Sequence, residues 1–329
     1  MSRWPWQPGA VTGIGSLPGT DPAEAATLVF GELPDLPHLA ELPNRGPGAE
    51  MIGRTAGMLV DLPVEVAPSG WRFAAHAGRD LRRARDHLSR DLDALQARAE
   101  GYRGPLKVQA AGPWTLAANL ELATGHKVVS DHGAVRDLVA SLAEGLRAHL
   151  ADVAARVPGA EPVLQLDEPS LPAVLGGRVA TPSGYGTVAA VEASVTQQAL
   201  TAVLAVAPEG GRVVHCCAAE VPLRLLHAAG VDAVSLDRSL LTSADYDALG
   251  ELVDAGVCLW LGVVEPGVRF AAARDSVTAL WRELGFAPAE LARRVVPTPV
   301  CGLPSATDEQ VRATFAVLRD VGRSLLEQQ

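Results

Sequence analysis

Two periods alternate along this chain of 329 residues. Short runs rich in Val, Leu and Ile, bounded by Gly, Pro and Asp, separate longer Ala/Leu/Arg/Glu segments whose apolar residues recur every three to four positions. The first kind reads as strand and the second as helix. Strands are expected at TGIGSLP (12–18), MLVDLPVEV (58–66), LKVQAAGP (106–113), PVLQLDEP (162–169), RVVHCC (212–217), DAVSLD (232–237), VCLWLGVV (257–264) and VVPTPVCGL (295–303). Helices are expected at 79–101, 133–157, 188–207, 220–230, 243–256, 269–285 and 307–328. The last begins near Thr307 and Gln310, a spacing that forms an N-terminal capping box.

Buried strands that alternate with helices imply a parallel sheet in an α/β fold. Eight such pairs fit a single (β/α)8 TIM barrel over residues 1–329. The alternative is an open doubly wound sheet, but GIGSLPG lacks the glycine spacing of a dinucleotide loop. Residues 31–57, rich in Pro and Gly, read as a long loop over the active face. No linker, repeat or low-complexity tract divides the chain.

Composition narrows the function. Hydrophobic residues make up 48% and the net charge is -10. An acidic chain repels phosphate backbones, so no nucleic-acid partner is expected. No uncharged run approaches the roughly 20 residues of a membrane span, and the N-terminus lacks an apolar signal core. The expectation is a cytoplasmic protein without membrane contact. Its four cysteines, Cys216, Cys217, Cys258 and Cys301, then read as thiols or metal ligands rather than disulfides.

A barrel places its chemistry at the C-terminal ends of the strands. Polar residues gather at those ends: Gly15 and Ser16, Asp167 and Glu168, His215 and Cys217, Asp237, Glu265 and Cys301. Side chains alternate along a strand, so His215 and Cys217 share one face and Cys216 takes the other as a small buried hydrophobe. One imidazole, two thiolates and the carboxylate of Asp237 on a common rim form a ligand set suited to zinc. The bland reading makes His215 a hydrogen-bonded core histidine and the cysteines packing. A zinc held by two thiolates suits activation of a substrate thiol, which is mostly protonated when free at neutral pH.

HCC, SLD and PVCGL in this order resemble the catalytic barrel of cobalamin-independent methionine synthase. IGSLPGT, AAGPWTL and LQLDEPSL are similar to further strands of that family, and the likeness runs from Gly13 to Leu303. It implies transfer of a methyl group to the thiol of homocysteine, giving methionine. It also implies that His215, Cys217 and Cys301 hold Zn2+, with Asp237 standing where the family has Glu. Asp167 would bind the substrate amino group, with Glu41 as a second contact, and Gly15 and Ser16 would receive its carboxylate. The chain resembles a short, single-barrel form, for which the methyl donor is methylfolate, methylcobalamin or a corrinoid protein. After the seventh strand the family has Asp-x-His, whose His handles a proton, whereas this chain has GVVEPGV; the resemblance makes Glu265, the nearest acid, the candidate catalytic residue there, with a solvated loop Glu as the alternative.

Other readings stay open at this point. Asp167 and Ser16 are also placed to cap helices. Trp71 and Trp114 are of a type that stacks on flat ligands or simply packs. Arg45 and Arg54 are either anion contacts or surface charges, and the pairs His87/Asp91 and His149/Asp152 read as solvated helix faces. Rival functions are zinc-dependent transfer to or from another alkyl thiol, a metal-free barrel like uroporphyrinogen decarboxylase, and a structural zinc protein.

Overall fold

A computed structural model describes residues 3–327. Residues 1, 2, 328 and 329, which fall within the expected 1–329 unit, lie outside the described residues. A two-stranded antiparallel ribbon, β1 (Val64–Ala67) and β2 (Gly70–Phe73), precedes the main sheet. That sheet is parallel, six-stranded and ordered as in sequence: β3 (Gly104–Ala111), β4 (Ala160–Asp167), β5 (Arg212–Cys216), β6 (Ala233–Asp237), β7 (Cys258–Val264) and β8 (Val295–Pro299). Helices connect successive strands, the longest being Arg79–Arg98, His132–Arg156 and Asp308–Leu326. Thr307 and Gln310 form the expected capping box.

Six of the eight expected strands are present as regular strands. The segment 58–66 is not a stave of the sheet. Asp61 adopts φ 57, and beyond it Val64–Ala67 turns into the antiparallel ribbon. The segment 12–18 is extended but irregular, with one parallel bridge between Ser16 and Glu41. A second parallel bridge joins His38 to Lys107 of β3. The run 37–41, expected as loop, therefore lies alongside β3, held by Leu39 N–H to the Lys107 carbonyl and Lys107 N–H to the Pro37 carbonyl, each 2.9 Å. The rest of the 31–57 stretch is also ordered: it contains a 3-10 turn, Pro43–Arg45, and a short helix, Met51–Ala56.

The sheet is curled. Leu303, just past β8, donates its N–H to the Ser16 carbonyl at 2.8 Å, so the two ends of the structure meet. Its two faces bury different things. The outer face packs Leu106, Val108, Leu166, Val234 and Leu261 against helix residues such as Leu138, Leu142, Val277 and Leu318. The inner face carries a separate apolar cluster of Val163, Val213, Ala233, Cys258, Trp260 and Val296, joined by Trp4, Trp6, Ala10 and Leu36. Trp4 stacks on Trp6, and Trp6 meets Trp260 edge-on at 5.2 Å. These residues lie toward the N-terminal ends of the strands and fill that end of the interior. The inner positions further along are polar: Lys107, Gln109, Gln165, Asp167, His215, Ser235 and Thr298, all buried.

Two readings of charged residues require correction. Arg45 and Arg54 are neither surface charges nor free anion contacts, and Asp91 is not solvated. Asp91 is buried and accepts from both arginines: Arg45 Nη1 lies 2.7 Å from Oδ1, and Arg54 Nη1 bonds Oδ2. His149 is buried as well, and burial holds its imidazole neutral, its pKa pushed down to about 4. The Asp91 pairs tie the Pro43–Arg45 turn and the Met51–Ala56 helix to the helix Arg79–Arg98. Removing one partner of a buried pair strands the other charge without water, which costs about 3–5 kcal/mol. Asp91→Asn is therefore expected to lower unfolding free energy by about that amount in urea titrations. A change below about 0.5 kcal/mol would mean that these arginines reach solvent.

Candidate functional site

His215, Cys217 and Cys301 come together at the C-terminal ends of the strands, their ligand atoms all within 4.8 Å of one another. His215 lies near the end of β5, paired across the sheet with Asp167 of β4 and Ser235 of β6. Cys217 follows the same strand and Cys301 follows β8. Alternation puts His215 and Cys217 on the interior side and leaves Cys216 fully buried on the other, as the pattern predicted.

The His215 ring is oriented by Ser235, whose Oγ lies 2.9 Å from Nδ1. With Nδ1 donating to that hydroxyl, Nε2 keeps its lone pair; Nε2 is buried and has no hydrogen-bond partner. An orphaned buried imidazole nitrogen beside two sulfurs is what a ligand position looks like without its ion. The Cys217 and Cys301 sulfurs are 3.8 Å apart. Two thiolates on one tetrahedral zinc, each at about 2.3 Å, stand about 3.8 Å from each other. The cluster thus fits zinc in donor chemistry and in spacing. The two thiols share this contact, and with the His215 imidazole beside it the Cys301 thiol is held well below its ordinary range. All four cysteines are free thiols.

Asp237 is not part of this group. Its Oδ1 accepts from the Ser239 N–H at 2.8 Å and the Ser239 hydroxyl at 2.7 Å, capping the turn Arg238–Leu240. The carboxylate expected as a fourth ligand is thus engaged in this cap, and the group within 4.8 Å consists of His215, Cys217 and Cys301. Glu265 is exposed on the loop after β7 and is likewise outside the cluster.

The expected amino-acid contacts lie beside the cluster. Asp167 is buried next to His215 in the sheet register and accepts from Gln165 Nε2 at 2.7 Å, so it caps no helix. Burial pushes its pKa up to about 7, against the opposing pull of His215 and Lys107. Glu41 is buried and also raised by burial; Arg54 Nε lies 3.6 Å from its Oε1 and Ser16 Oγ 3.5 Å from its Oε2. Ser16 is half-buried and caps nothing; Asp21 caps the helix Pro22–Glu32. Gly15 is required by close approach, since a Cβ there would meet the Gln109 amide at 2.8 Å.

The structure also shows residues that the sequence reading passed over. Lys107, Gln109, Gln165 and Ser235 are buried polar groups within the site's interior wall. Their signal was present as polar residues two apart in otherwise apolar strands, LKVQAAGP and LQLDEP. Glu168 has a structural role: it accepts from the Trp114 and Thr115 N–H groups and the Thr115 hydroxyl, fastening the helix Pro113–Asn119 across β4. Trp114 and Trp71 are packed inside, with Nε1 bonded to the Thr196 carbonyl and to Glu50 respectively.

Comparison with known proteins agrees with this arrangement. Residues 9–324 match the family model described as cobalamin-independent synthase, catalytic domain. The chain belongs to that family. It is accordingly a methyltransferase of the methionine synthase type. Among solved structures it is similar to a B12-independent methionine synthase from Shewanella sp. W3-18-1 in complex with selenomethionine, at a TM-score of 0.62 and 12% identity over 98% of each chain. That likeness speaks for the fold. GH5_18 from Streptomyces cattleya in complex with GlcNAc reaches a TM-score of 0.48 at 13% identity, over 100% of this chain and 81% of the other, too low to carry an argument. No curated protein matches. No helix among the described residues is long and apolar enough to cross a membrane.

Family membership and the three-ligand cluster together lead to a metal measurement. Purified protein is expected to bind about one zinc per chain, and Cys301→Ser to lose most of it while keeping its circular dichroism spectrum. A folded wild type that refuses added zinc would make the cluster mere packing.

Proposed function

We propose that this protein transfers a methyl group to the thiol of homocysteine, forming methionine, with His215, Cys217 and Cys301 as the zinc ligands. The observation that carries this reading is the juxtaposition, across one strand pair, of that cluster with the Asp167 carboxylate. We read the bridged segments around 16 and 37–41 as the first two staves of an eight-stave barrel, which makes the cluster its C-terminal mouth. The chain 1–329 then acts as one catalytic unit, with Glu41 delivered from the 31–57 stretch.

If held by His215, Cys217 and Cys301, zinc would supply a Lewis acid that lowers the pKa of a substrate thiol. The protein's own residues do the rest. Ser235 fixes the His215 ring so that Nε2 faces the sulfurs. Asp167 and Glu41 offer two carboxylates to one ammonium group; its charge would compensate the burial that raises both pKa values in the free protein. Gly15 and Ser16 present backbone to the substrate carboxylate. Held at both ends, the amino acid would point its sulfur in one direction, and alignment with the donor's methyl carbon lowers the barrel's entropic cost of attack. The electron pair of the sulfur forms the new S–C bond, the pair of the methyl–donor bond departs with the demethylated donor, and the thiol proton is given up to solvent or to that donor. Glu265, exposed on its loop, takes no part in this reading.

The donor is a methylfolate, methylcobalamin or a methylated corrinoid protein, and activity assays separate these. Zinc-loaded protein with homocysteine is expected to yield methionine from one of the three. Asp167→Asn should raise the KM for homocysteine by about ten- to a hundredfold with a smaller effect on kcat. Methylation of simple alkyl thiols as fast as homocysteine, unaffected by Asp167→Asn, would overturn the assignment of substrate.

A further inference from the structure

Ile14 lies in the irregular first segment, just before the bridge at Ser16. Its carbonyl turns into the interior instead of toward a neighbouring backbone, and accepts two side-chain hydrogen bonds. Lys107 Nζ donates at 2.6 Å and Gln165 Nε2 at 3.0 Å. Both side chains are fully buried. The same groups brace the surrounding wall: Lys107 Nζ also reaches Gln109 Oε1 at 3.2 Å, Gln109 Nε2 donates to the Leu39 carbonyl at 2.7 Å, and Gln165 Nε2 reaches Asp167 Oδ1 at 2.7 Å. Lys107 has no part in the thiol chemistry proposed above, and a buried ammonium is costly to desolvate. A methionine of similar length would fill the same space without that cost, so packing alone gives no reason for a lysine.

We propose that Lys107 is a positioning residue for the substrate's carboxylate: together with Gln165 it clamps the Ile14 carbonyl and thereby sets the direction of the Gly15 and Ser16 backbone. The inference rests on the reading of Gly15 and Ser16 as the seat of that carboxylate. A peptide unit is planar, so the Ile14 carbonyl and the Gly15 N–H move as one rigid body. Fixing the first aims the second. The Gly15 carbonyl is held separately, by the Glu41 N–H at 3.1 Å, so the clamp on Ile14 fixes the peptide unit that this bond leaves free, and the space beside Gly15 is already taken by Gln109. Because Gln165 also bonds Asp167, one buried framework holds both the carboxylate seat and the ammonium-binding carboxylate in a fixed relation. The spacing between the two would select α-amino acids over other thiols.

The test is binding of two thiols to zinc-loaded protein by calorimetry: homocysteine, and 3-aminopropane-1-thiol, which is the same molecule without its carboxylate. Lys107→Met is expected to weaken homocysteine by about tenfold or more, the equivalent of one lost hydrogen bond to a charged group. The carboxylate-free thiol should stay within about twofold, and zinc content should be that of the wild type. Gln165→Met, which removes the other donor to Ile14, should show the same one-sided loss and serves if the first variant does not fold. Equal weakening of both thiols, or of neither, in a folded, zinc-loaded variant would overturn the positioning role. A wild type that binds the two thiols alike would instead overturn the seat at Gly15 and Ser16, and this inference with it.

Discussion

The contact between the Cys217 and Cys301 sulfurs depends on the curl of the sheet. The two residues follow β5 and β8, which are separated by two intervening strands. In a flat sheet three strand spacings would hold them about 14 Å apart. They lie 3.8 Å apart. Curling closes that distance, and the Leu303-to-Ser16 hydrogen bond joins the last strand's extension to the first segment. The ligands, the buried carboxylates and the glycine turn share a rim only because of this curvature.

Curvature also creates an interior that must be filled, and the chain fills it unevenly. Toward the N-terminal strand ends Trp4, Trp6 and Trp260 form an apolar plug with Val163, Val213 and Val296. Above it the wall is polar, and buried polar groups need partners. Lys107, Gln109 Nε2 and Gln165 Nε2 find theirs in backbone carbonyls and neighbouring side chains, whereas Gln165 Oε1 has none. His215 Nε2 has none either. The division gives a rigid floor beneath a reactive mouth. It also explains why the charges that support the mouth from outside, Arg45, Arg54 and Asp91, form a closed ionic group instead of facing water.

Much of this was legible in the sequence. The six strands from β3 to β8 are continuous apolar runs, and their period and length mark them unambiguously. The cluster at His215, Cys217 and Cys301 was readable because two-residue alternation and strand-end position are both properties of local sequence. The two bridged segments before the sheet were not readable as they are. Around Gly13 and Gly15 the chain gives up ladder bonds for side-chain contacts, and PHLAE pairs too briefly to carry a strand's pattern, whereas MLVDLPVEV carries the pattern and bends away at Asp61. Burial of Arg54, Asp91 and His149 was hidden for a different reason. An ionic group closed by residues 37 positions apart leaves no periodic trace. For Asp237 a carboxylate at a strand end satisfies two rules at once, ligand and cap, and sequence alone does not show the bonds to Ser239.

The central claim is that the three-residue cluster holds a zinc ion that accepts a substrate sulfur. X-ray absorption at the zinc edge tests it most directly, on the loaded protein before and after saturation with homocysteine. The account predicts a shell with one nitrogen and two sulfurs from the protein, in which the sulfur count rises to three when homocysteine is added. A sulfur count that does not change at saturating homocysteine would contradict it.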